Sequence, residues 1–158
     1  VYYDCKWSNY YPSDNYPFMY KCRSANSSII KYRYADVLLL KAEALIMQDT
    51  PDLDGAADII DEVRERAKLG ALSASTRSNK NAMLNALLKE RRLELAFEGQ
   101  RWFDLVRLDK VEEVMNAVYA KDSGRKAQVY AFDKTSYRLP IPQSVIDAND
   151  KIHQNPGY

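Results

Sequence analysis

Residues 90–108, ERRLELAFEGQRWFDLVRL, set four acids and four arginines among leucines and aromatics, in a segment with helical spacing interrupted at Gly99. At that spacing Arg91, Glu94, Glu98, Arg101, Asp104 and Arg107 follow one another at three or four residues, with signs mostly alternating. An exposed pair of this kind contributes only about 0.2 to 0.5 kcal/mol, too little to explain so dense a run. Leucines and aromatics flank the charges on both sides, so the pattern predicts partly buried ion pairs. There, arginine forks satisfy carboxylates and backbone carbonyls of neighbouring segments. The six residues are expected to form a polar girder that locks the last helices and the tail together. The rival reading makes Glu90 with Glu94, or Glu94 with Glu98, an acid and base pair acting on a glycoside. Two acids one turn apart on one helix do not flank a substrate as that reaction requires, so no catalytic residue is assigned and no enzymatic activity is expected.

The rest of the chain divides by texture into residues 1–30, 33–119 and 120–158, within a single expected domain of 158 residues. The middle region is helical by pattern. YADVLLLKAEALIMQ is apolar nearly all round and suits a helix covered on several sides. After TPDLDG, where Asp52 or Asp54 can cap, AADIIDEVRERA places Ile59, Ile60, Val63 and Ala67 on one stripe, with Gly70 positioned to close the helix. The two make an antiparallel hairpin of about 34 to 36 residues, the length of one tetratricopeptide unit. A polar linker, SASTRSN, leads to a helix beginning near Asn79 and reaching Gly99, with Leu84, Leu87, Leu88 and Leu95 in phase. The segment VEEVMNAVY then lines up Val111, Val114, Met115 and Val118. Past Lys121 the period disappears into a proline-rich tail, with one helical turn expected at Gln143 to Ala148. The fold class is therefore all-α: a tetratricopeptide-like helical hairpin and further helices, a loop-rich N-terminal segment and an irregular tail expected to pack on the helices.

Composition removes several function classes. A formal charge of +1 from 23 basic and 22 acidic residues offers no field to a polyanion, so nucleic acid is not an expected partner. No apolar run is longer than the four residues of Val37 to Leu40, far short of the roughly 20 residues that cross a bilayer. The opening VYYDCKWSNY lacks the charged start and apolar middle of a signal peptide and has no initial methionine, so the chain is expected to be a piece of a longer protein. Cys5 and Cys22 enclose a short aromatic loop. They are either bridged, which the chain-entropy model values at about 3 kcal/mol, or two unpaired thiols. No metal or cofactor is expected, because the only histidine, His153, is remote and no ligand set has suitable spacing.

Five strings, RYADVLLLKAEAL (33–45), AADIIDEVRERA (56–67), LLKERRLELAFEGQRWFDLVR (87–107), LPIPQSVIDAN (139–149) and QNPGY (154–158), together resemble the C-terminal part of SusD/RagB-family proteins. These are surface lipoproteins that capture nutrients beside outer-membrane transporters in Bacteroidetes. The strings occur in the family's order, between residues 33 and 158. The resemblance implies a mostly helical, non-enzymatic, surface-exposed protein of the outer membrane, anchored by a lipidated cysteine outside this sequence. It would act as a lid and binding platform over a TonB-dependent SusC-type transporter, with a glycan as ligand. Cys5 and Cys22 do not sit in a lipidation motif. A peptide importer of the same design, and more distantly a stand-alone helical-repeat adaptor, are the alternatives.

The ligand site is argued from chemistry. Sugars are held by aromatic faces on apolar C–H patches, with amide and carboxylate groups on the hydroxyls. Residues 1–28 hold six of the twelve tyrosines, and WSNYYPSDNYPFMY supplies both kinds of group: Trp7, Tyr10, Tyr11 and Tyr16, with Asn9, Asp14 and Asn15. Those residues are the candidate ligand contacts, the rival being that the rings pack on the helices. Trp102 lies inside the girder segment and is expected in the core.

Overall fold

The computed structural model describes Lys21, residues 30–121 and residues 131–158. The aromatic segment with Trp7, Asn9, Tyr10, Tyr11, Asp14 and Tyr16, and both cysteines, lie outside the described residues. Seven α-helices and one 3-10 turn, and no strand, are present among the described residues. The chain divides into two compact units, 1–101 and 102–158.

In the first unit, α1 (Tyr34–Met47) and α2 (Leu53–Arg66) form the hairpin, α3 (Ala74–Arg77) is a single turn, and α4 (Lys80–Glu94) packs on both hairpin helices. Asp52 is the residue that caps α2, its carboxylate accepting from the Gly55 amide at 2.9 Å. Asn79 caps α4 in the same way through the Ala82 amide. Ser73 starts α3 within the stretch expected to be linker. Leu39, Ala42 and Ile46 from α1, Ala56, Ala57, Ile60 and Val63 from α2, and Met83 and Leu87 from α4 make one continuous core. The alanines let the backbones of α1 and α2 approach closely, and the branched and long side chains fill the space left.

Helix ends depart from the expected positions. The α2 helix stops at Arg66, and Lys68 rather than Gly70 adopts the left-handed conformation, at φ 60, its amide bonding the Glu65 carbonyl. Gly70 serves instead as an acceptor, its carbonyl taking Arg64 Nε at 2.8 Å. Likewise α4 ends at Glu94, and a turn through Phe97 (φ 65) and Gly99 (φ 80) precedes α5 (Arg101–Arg107). Among the described residues, Leu39, Ala42 and Ile46 of α1 are fully buried while Tyr34, Val37 and Met47 are more than half exposed.

In the second unit, Leu105 of α5 and Val111 of α6 (Val111–Lys121) are buried, while Val118 is exposed at the far end of the expected stripe. The 3-10 turn Lys134–Tyr137 carries a capping box from Asp133 and Ser136. Asn116 of α6 grips the Phe132 backbone from both sides, accepting its amide at 2.8 Å and donating to its carbonyl at 3.0 Å. The terminal QNPGY string has a comparable role. Gln154 accepts from the Ile141 amide and donates to the Ile141 carbonyl, Asn155 donates to the Leu139 carbonyl, and α7 (Gln143–Asp147) lies between. Gly157, at φ 97, lies against Thr135, where a Cβ would come within 2.7 Å of the threonine Cβ. No helix among the described residues is long and apolar enough to cross a membrane.

Ile60 sits at the centre of the first unit's core with no exposed surface. Ile60→Ala is expected to lower unfolding free energy by about 2 to 5 kcal/mol, whereas Val37→Ala on the open face of α1 stays within about 0.5 kcal/mol. Urea titration followed by circular dichroism checks both.

Candidate functional site

The girder residues meet partners from distant parts of the chain. Arg33 is the N-cap residue of α1, in extended conformation and without a side-chain cap. Its guanidinium instead reaches the end of α4, where Nε donates to both carboxylate oxygens of Glu98, at 3.0 and 2.9 Å. Its terminal nitrogens donate to the Glu94 carboxylate and to the Glu94 carbonyl. Lys21 donates to that same carbonyl at 2.9 Å and pairs with Glu98, while Arg66 in the last turn of α2 pairs with Glu94.

The convergence has a local cause. Glu94 is the last residue of α4, so its carbonyl lacks a helical donor and carries the negative end of the helix dipole. Two cations satisfy it. With Arg66 added, three cations surround two carboxylates whose side chains are 9% and 3% exposed. Burial pushes the Glu98 carboxyl up, but the hydrogen bonds and charges of Arg33 and Lys21 outweigh it and hold the group below the ordinary glutamate range. Arg33 is affected in reverse: burial pushes it down, and Glu98 and Glu94 more than compensate, so its protonated form is favoured.

Two further pairs extend the network towards the hairpin. Arg91 donates to Asp36 of α1 at 2.8 Å, both side chains being almost wholly buried. Arg64 of α2 donates to buried Glu90 at 3.0 Å. Arg101 donates to the Leu88 carbonyl at 3.1 Å. Asp61 accepts from the Leu72 amide and from Arg77, tying α3 to α2. Among the described residues no buried side-chain nitrogen or oxygen lacks a hydrogen-bond partner, the condition under which buried charge is tolerated.

The six girder residues fall in both units. Arg91, Glu94, Glu98 and Arg101 belong to the first unit, whereas Asp104 and Arg107 form an i,i+3 pair in the second, with Nη2 at 2.8 Å. Along the sequence, α4 stops at Glu94, and Arg101, Asp104 and Arg107 lie on α5. Trp102 is half-buried and meets Phe132 edge to face, with centroids 6.5 Å apart. On the same unit Tyr137 donates to Asp109 at 2.8 Å, a bond that pushes the phenol up to about 12 and draws the carboxyl down. Sequence reasoning did not find Asp36, Arg33, Arg64 or Arg66. Asp36 gave a usable signal, since an acid in phase with Leu39, Ala42 and Ile46 must be buried and so requires a cation. Among the described residues no group of three or more His, Cys, Asp or Glu side chains could hold a metal ion.

Comparison with known proteins puts this arrangement in context. The SusD family model matches residues 2–158. The chain belongs to the SusD family. SusD-like protein P2 of Formosa agariphila is 33% identical over 142 residues, covering 86% of this chain and 27% of that protein. SusD-like protein P38 of the same organism is 40% identical over 99 residues, 59% of this chain and 19% of the relative. Among solved structures, a SusD-like protein from Bacteroides fragilis has a TM-score of 0.64 at 26% identity, over 94% of this chain and 28% of its own. A SusD superfamily protein from Parabacteroides distasonis has a TM-score of 0.65 at 31% identity, over 81% of this chain and 27% of its own. The chain thus spans less than a third of the length of these SusD relatives.

The depressed Glu98 carboxyl fixes the sign of a pH effect. A group whose folded pKa lies below its unfolded value adds stability that is present above the unfolded value, near 4.5, and is lost as pH falls through the folded one. Glu98→Gln is therefore expected to lower melting temperature at pH 7 and to flatten its decline between pH 5 and pH 2. Differential scanning calorimetry across that range checks it.

Proposed function

We propose that residues 1–158 supply the scaffold portion of a non-enzymatic, glycan-binding component of a SusC/SusD-type outer-membrane uptake system. The protein would be surface-exposed, held by a lipid anchor outside this sequence, and seated over a TonB-dependent SusC-type transporter. The observation that carries the reading is the family match across residues 2–158. The packing agrees with a supporting role. Glu90, Glu94, Glu98, Arg91 and Arg101 are all engaged with groups of the same unit, an arrangement suited to holding helices together. Ligand contact is assigned to Trp7, Asn9, Tyr10, Tyr11, Asp14 and Tyr16, whose rings and polar groups match the chemistry of sugar binding.

A family binding surface assembled from the whole of a longer chain leaves this part with one aromatic segment. A stacking ring and a few exposed hydrogen bonds must overcome an association cost of at least about 4 kcal/mol. Residues 1–158 alone are therefore expected to bind glycan no more tightly than about millimolar. Isothermal titration against panels of plant polysaccharides, host polysaccharides and peptides tests this, using residues 1–158 and the longer chain that carries them. Glycan binding by the longer chain, weakened by Trp7→Ala, supports the proposal. Binding of peptides without any glycan overturns it, and micromolar binding by residues 1–158 overturns the division of labour.

A further inference from the structure

Three non-glycine residues among those described have positive φ: Lys68, Phe97 and Asp109. Lys68 and Asp109 are polar side chains in helix-terminal turns. Phe97 is different, because a bulky aromatic is poorly suited to the left-handed region and helix termination at such a place favours glycine or asparagine. The side chain also gains little from the fold, being 71% exposed.

The strain is held from both sides. Leu95, two residues earlier, is buried at 4% exposure and its amide bonds the Arg91 carbonyl at 2.9 Å. Glu98, immediately after, is fixed by Arg33 and Lys21, and its amide bonds the Leu95 carbonyl at 3.1 Å. Phe97 thus lies between two fixed residues, Leu95 and Glu98. Leu93, one turn earlier, is 50% exposed. Backbone strain with no return in burial is characteristic of residues held ready for a contact.

We infer that Phe97 is an anchor for an apolar pocket supplied by the part of the parent protein beyond residues 1–158. The length of the relatives names the occupant: this chain spans 27% and 19% of the two Formosa proteins, so most of such a protein is available to cover the ring. A ring in a pocket recovers on contact the burial it lacks here, and the fixed backbone spares the entropy of ordering it. The inference rests on family membership and is independent of the glycan reading.

The test is thermal unfolding of Phe97→Gly and Phe97→Asn, each made in residues 1–158 and in the longer chain that carries them. Both replacements accept positive φ. In residues 1–158 they should raise the melting temperature by about 2 to 4 °C through relief of strain. In the longer chain the sign should reverse, with a fall of several degrees, and Phe97 should become protected from hydroxyl-radical oxidation. A rise in both contexts means the ring meets no pocket and overturns the inference. A fall in both means the ring already packs within residues 1–158 and also overturns it. A wild-type melting temperature that climbs with concentration of residues 1–158, and ceases to in Phe97→Gly, would make a second copy the occupant and overturn it equally.

Discussion

Arg33 is the residue on which the described packing of the first unit turns. One guanidinium joins the start of α1 to the end of α4 by bonding two carboxylates and a terminal carbonyl. An arginine is suited to this because its planar fork presents several donors in fixed directions. Lysine could neutralise the charge but not span both carboxylates and the carbonyl in one geometry. Lys21 and Arg66 then complete the shell, and Arg91 with Asp36 repeats the link one turn deeper. Removing one member would leave a largely desolvated carboxylate short of a donor, which is why such networks tolerate loss poorly even when their net contribution is modest.

Much of the helical plan was legible in the sequence because it depends on local chemistry. The Asp52 cap, the Asn79 start of α4, the core stripe of Ile60 and Val63 and the turn at Gln143 follow from capping groups and periodicity. The missed features depend on distant partners. Nothing local shows which groups meet the carbonyl freed at the end of α4, because the cations that satisfy it come from residues 21 and 33. Local spacing equally pointed to neighbours along a helix for Glu94 and Glu98, whereas Arg33, Lys21 and Arg66 reach them from distant parts of the unit. Lys68 supplanted Gly70 because an exposed turn tolerates one strained residue, and Arg64 found a use for the Gly70 carbonyl.

The strings that resemble the family turn out to have physical duties. RYAD supplies Arg33 and Asp36, ERRLEL supplies Glu90, Arg91 and Glu94, and FEG supplies Glu98. LPIPQ and QNPGY meet through the amides of Gln154 and Asn155, with Gly157 fitted against Thr135. Such roles constrain residue identity through geometry within each unit, and they are silent about cargo. Sequence is therefore informative about the family and poor at naming the ligand, since the aromatic segment at 7–16 is recognised by composition alone.

The central claim is that the Arg33 fork couples α1 to α4 energetically. A double-mutant cycle measures it directly, using Arg33→Met, Glu98→Gln and the double variant in urea unfolding at pH 7. The account predicts a coupling of about 1 kcal/mol or more between the two positions. Effects that add to within about 0.3 kcal/mol would contradict it.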